Sequence, residues 1–121
     1  MKVIIFATLM SLACSINASS TEVFDGLYLR YEGAEYESAF IPCKVSGVWF
    51  ITGEEALEQL KIKYSNLPHS KYGEIWASLE LVVEPIDKDE NPNSHYEAVA
   101  TVVSIINAEY DEGKIASCRH Q

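Results

Sequence analysis

Val48-Trp49-Phe50-Ile51-Thr52-Gly53-Glu54-Glu55-Ala56-Leu57-Glu58-Gln59-Leu60-Lys61-Ile62-Lys63-Tyr64 is the stretch in which the chain changes its period. Val48 to Ile51 reads as a short strand of β-branched and aromatic residues. Beyond it Leu57, Leu60 and Tyr64 recur at helical spacing, which leaves Glu54, Glu58, Lys61 and Lys63 to face water. Thr52 is the predicted N-cap, and Glu55, three residues later, completes a capping box. Ser65-Asn66-Leu67-Pro68 ends the helix.

Two strands are predicted before this stretch. Phe24 to Tyr31 places Leu27, Leu29 and Tyr31 on one face and Tyr28 and Arg30 on the other, and Glu32-Gly33 breaks it. Tyr36 to Lys44 is the second, and Ser46-Gly47 supplies the turn into the third. Two more follow the helix. In Ile75 to Val83, Ile75, Ala77, Leu79, Leu81 and Val83 alternate with Trp76, Ser78 and Glu80. After Pro85 a polar loop runs from Asp87 to Ser94, and Tyr96 to Ile106 is the last strand, rich in Val, Ile and Thr. The order β-β-β-α-β-β is that of a small five-stranded OB-like barrel, with its helix between strands three and four. Another small α+β sheet covered by one helix is the competing arrangement.

The N-terminus reads as a secretory signal over residues 1–18. Lys2 precedes an apolar run from Val3 to Ala13 and then the small residues around Ile16-Asn17-Ala18. A run of about 11 residues is too short to span a bilayer, which needs about 20. Cleavage after Ala18 makes Ser19 the first residue of the mature domain, residues 19–121. In the alternative, Cys14 is the acylated first residue of a lipoprotein; Ala13 suits that reading, whereas Ser11 and Leu12 do not. Cys14 leaves with the signal in the first case, so three cysteines become two. In an oxidising compartment Cys43 and Cys118 then form a structural disulfide between the second strand and the tail. Their wide separation argues against a redox pair, whose cysteines lie close in sequence.

The chain of 121 residues carries a formal charge of −9 and is 48% hydrophobic, enough for one domain with a real core. The negative surface repels phosphate backbones, so nucleic acid is not expected as a partner. No second apolar run reaches membrane-spanning length, so the mature chain is expected to have no transmembrane segment. The loop Asp87-Lys88-Asp89-Glu90-Asn91-Pro92-Asn93 alternates oxygen ligands as a calcium loop does. It has Pro92 where the sharp turn needs Gly, and Ala98 where a bidentate Glu belongs, so it reads as a solvated loop. His69, His95 and His120 lack ligand spacing, and no nucleophile, phosphate-loop or dinucleotide motif is present. No catalytic residue, metal or cofactor is therefore expected.

The residues also resemble a known domain. Gly26-x-Tyr28, the acidic turn from Glu32 to Glu37, Phe40-x-x-Cys43, the glycine at Gly47 and the helix ending in Tyr64 look like the small C-terminal OB-like domain of bacterial envelope lipoproteins of the NlpE type. The resemblance runs from about Phe24 to Ile106 and implies an OB-like fold and an envelope location. The chain lacks the Cys-x-x-Cys pair to which metal or redox sensing in that family is most naturally assigned, so that function is not carried over.

Aromatic residues are numerous for so small a barrel. OB-folds bind along the exposed face of strands two and three, with rings as platforms. Tyr28, Tyr36 and Trp49 are the candidate platform, with the core as the competing place for such rings. The expected function is a non-enzymatic binding or structural module, exported to the periplasm or secreted, whose partner is an envelope protein or glycan. The alternative is a secreted inhibitor of a basic hydrolase such as a lysozyme.

Overall fold

A computed structural model describes residues 20–31 and 37–119. The expected signal with Cys14 and the Ser19 start, the Glu32-Gly33 break, Tyr36 and His120 lie outside the described residues. Five strands form a closed barrel: β1 (Glu22–Arg30), β2 (Ser38–Pro42), β3 (Trp49–Thr52), β4 (Glu74–Pro85) and β5 (Ala98–Glu109). Helix α1 (Glu55–Ser65) joins β3 to β4, and helix α2 (Glu112–Arg119) follows β5. Neighbours run β1-β2-β3-β5-β4 and back to β1; every pair is antiparallel except β3 with β5. This is the OB-like order, and the ring of pairs leaves no strand with a wholly unpaired side, as the outer strands of an open sheet would have.

β1 serves two neighbours. Its first half pairs with β4 alone, and from Gly26 it pairs with β2 as well, Gly26 facing both Ala77 and Pro42. A side chain at Gly26 would meet the Phe40 ring and lie 2.6 Å from the Ile41 carbonyl oxygen, so three strands approach there only because a Cβ is missing.

Inside the barrel, Tyr28, Phe40, Trp49 and Ile51 meet Ile75, Ala77, Leu79 and Leu81, the inward set of the alternation read in β4. Leu57, Leu60 and Tyr64 of α1 join the same cluster. Tyr64 packs edge-on against Tyr28, their centroids 5.4 Å apart, and Leu60 is fully buried. Burying one such side chain contributes about 1.5–3 kcal/mol.

The structure corrects one predicted element and adds another. Thr52 does not cap α1, because it is the last residue of β3 and pairs with Thr101. Glu54 holds the cap position with no side-chain hydrogen bond, and Gly53, at φ 150°, turns the chain between strand and helix. Glu55 and Glu58 in the first turn and Lys63 in the last oppose the helix dipole favourably. The added element is in the tail, which is helical. Asp111 Oδ1 accepts the Lys114 backbone N–H at 3.0 Å, capping α2 at its start. Ile115 and Cys118 are the residues α2 buries, against Leu27, Cys43 and Trp76 on the outside of the barrel. Leu27 and Tyr28 thus lie on opposite faces of β1, as their alternation indicates, and both faces are covered.

Candidate binding face

Cys43 and Cys118 are bridged, their Cα atoms 4.7 Å apart, and the bond ties α2 to the end of β2. Lys114 Nζ lies 4.3 Å from the centre of the Trp76 ring, and Arg119 pairs with the buried carboxylate of Glu74. These contacts, with both sulfurs buried, make the bridge a structural staple and close off the outer face of β1 and β4 there.

The outer face of β2, β3 and β5 is different. Phe40 and Trp49, paired across β2 and β3, point inward, so strand alternation turns Ala39, Phe50 and Val99 outward in one row. The Phe50 ring meets Tyr96 at 5.5 Å between centroids, and both residues are half-buried. Tyr96 in turn donates its phenol to Glu37 Oε1 at 2.8 Å. Glu37 accepts the Tyr31 backbone N–H on its carbonyl at 2.8 Å, which brings Tyr31, 41% exposed, to the same end of the barrel. Two backbone bonds fix the loop that carries Tyr96. Glu97 N–H donates to the Val48 carbonyl at 2.9 Å, and Ile86 N–H donates to the Glu97 carbonyl at 3.0 Å. Burial, and then the hydrogen bond to Glu37, hold the Tyr96 phenol far above its ordinary pKa. It therefore stays a neutral donor throughout the physiological range.

Of the predicted platform, Tyr28 and Trp49 belong to the core. Tyr28 is fully buried, bonded through its hydroxyl to Ser38 Oγ at 2.8 Å, and burial raises its pKa. Trp49 is 4% exposed and is packed edge-on by Phe24 at 5.0 Å. Neither can offer a ring face to a ligand, because alternation points both into the barrel. Tyr36 lies outside the described residues. The outward aromatics are Phe50 and Tyr96 instead, and Phe50 was legible once Trp49 and Ile51 were placed inside.

The acidic loop spends its oxygens on itself. Asp87 Oδ1 accepts the Asp89 backbone N–H at 2.9 Å, and the Asp87 carbonyl accepts the Asn91 backbone N–H at 2.9 Å. His69 stacks on Tyr64 with centroids 3.9 Å apart and hydrogen-bonds the Tyr64 carbonyl through Nε2 at 2.7 Å, and His95 is exposed. Among the described residues, no group of three or more His, Cys, Asp or Glu side chains is arranged to hold a metal ion. No described helix is long and apolar enough to cross a membrane. Comparison of the chain with family models, with curated proteins and with solved structures found no match.

Proposed function

We propose that this chain is an exported, non-enzymatic binding module of the bacterial envelope, and that its partner, a protein or a glycan, is held on the outer face of β2, β3 and β5. The observation that carries this reading is the Phe50–Tyr96 pair, anchored by Glu37 on a closed barrel. Half-buried rings beside a fixed carboxylate supply apolar contact and a directed acceptor, the combination that sugars and peptides need. The face lies where OB-like barrels take their ligands, in keeping with the resemblance to the NlpE-type domain. Export is supported by the signal-like N-terminus and by the Cys43–Cys118 bridge, which suits an oxidising compartment.

Capture from envelope extract on wild-type and Phe50→Ala bait tests the assignment. A partner retained by the wild type and lost by the variant supports it, and equal retention by both counts against it. A basic hydrolase as the main captured protein, with its activity suppressed, supports the inhibitor reading instead. The charge of −9 is the feature in its favour. The intact mass of protein from the envelope separates a Ser19 start from a diacylglyceryl Cys14.

A further inference from the structure

β3 ends at Thr52, and its register with β5 ends opposite it, at Thr101. β5 runs on to Glu109. From Val102 onward it is therefore paired on one side only, with β4, among the described residues. The chain leaves β3's lane at Gly53, where an added Cβ would lie 3.3 Å from the Val102 carbonyl oxygen. That carbonyl oxygen lies close to the point where the chain leaves the lane. Between this part of β5 and the first turns of α1 lies a groove of about 730 Å³.

The groove has an apolar rim and an acidic wall. Two β-bulges interrupt the β4–β5 ladder, where the partners step from Leu81↔Val102 to Glu80↔Ser104 and from Leu79↔Ile105 to Ser78↔Asn107. Val103 and Ile106 are the unmatched residues, and they are 46% and 58% exposed. A bulge re-aims a side chain in this way. On α1, Glu55 and Gln59 line the groove, and Ile62, 62% exposed, continues their stripe at helical spacing. Glu54 stands beside Glu55, and Glu80 is held at the strand side by Ser104 Oγ at 2.8 Å. No residue lining the groove is basic.

We propose that the α1–β5 groove docks an extended basic segment of a partner protein, laid in the lane that β3 vacates. Its main chain bonds the free edge of β5, its apolar side chains cover Val103, and its Lys or Arg side chains meet Glu54 and Glu55. A second copy of this chain fits poorly, since it would bring the same carboxylates and a charge of −9 against their like. None of the groove residues belongs to the Phe50–Tyr96 face, so this is a second surface and stands whether or not that face binds.

The test uses isotope-labelled protein recovered from exporting cells, titrated with an alternating Val-Lys octapeptide and a Val-Glu octapeptide. Amide shifts centred on Gly53–Gln59 and Val102–Ile105 are expected with the Lys peptide alone. Glu54→Lys/Glu55→Lys should weaken its binding at least tenfold. Val103→Ser, an uncharged change at an exposed position, should weaken it with the charge of the groove intact. Equal binding of the Val-Glu peptide, shifts centred on Phe50 and Tyr96, or no binding of the Lys peptide would overturn the proposal. So would a concentration-dependent dimer whose contact shifts fall on these same amides without peptide, because the occupant would then be a second copy.

Discussion

Removing the Cys43–Cys118 bridge should cost the protein a large part of its stability. The bridge spans 75 positions of sequence. In the chain-entropy model a closed loop of that length restricts the unfolded chain by about 15 cal/mol/K, or about 4.5 kcal/mol at 25 °C. The native state has little with which to compensate. α2 is eight residues long, too short to persist as an isolated helix in water. Beyond the bridge it is held by Ile115, 2% exposed, by Lys114 over Trp76 and Arg119 over Tyr72, and by the Arg119–Glu74 and surface Lys114–Glu109 pairs. At about 4–8 °C per kcal/mol for a domain of this size, the melting temperature should fall by roughly 20–35 °C. Thermal melts followed by circular dichroism, with and without a phosphine reductant, measure this directly. The Cys43→Ala/Cys118→Ala variant should melt with the reduced protein. A reduced protein that melts within a few degrees of the oxidised one would show that α2 is held without its staple.

Gly26→Ala should destabilise by about 1–3 kcal/mol or more, since its Cβ would lie 2.6 Å from a backbone oxygen that cannot move aside; denaturant melts check this, and a neutral result would mean that the strands do not approach so closely there. Leu60→Ala should cost about 2–5 kcal/mol in the same assay, because the fully buried side chain belongs to the barrel core. Thr52→Ala should cost less than about 1 kcal/mol, the range of a strand preference, since Thr52 makes no cap. The raised pKa of Tyr96 makes its contribution to stability complete below its unfolded value of 10.0, and that contribution is lost as pH rises through the higher folded value. Tyr96→Phe should therefore flatten the loss of stability above pH 10, which unfolding midpoints measured across that range will show.

The barrel was legible because α1 differs sharply in period from β3 and β4. Val48 to Ile51 and Ile75 to Val83 alternate, and Leu57, Leu60 and Tyr64 do not. The cysteine pair was legible from parity once Cys14 was set aside. The helix start was misplaced because Thr52-x-x-Glu55 satisfies a capping pattern locally, while pairing with β5 carries Thr52 into the strand. α2 was missed because it buries only Ile115 and Cys118 and contains Gly113, so its periodic signal is weak; Asp111, three residues before Lys114, was the readable cue. The platform was misassigned for a different reason. Ring count alone cannot separate inward from outward on a strand. Trp49 and Phe50 are neighbours in sequence with opposite fates, and only the register with Phe40 and Ala39 decides between them.

In the proposed reading, the outer face around Phe50 meets a partner in the envelope. Photocrosslinking in exporting cells tests it, with benzoylphenylalanine placed at Phe50 and, as a control, at Val23, which is 55% exposed on β1. A discrete light-dependent adduct from position 50 and none from position 23 is the predicted result. No adduct from position 50, or the same adduct from both positions, would contradict the claim.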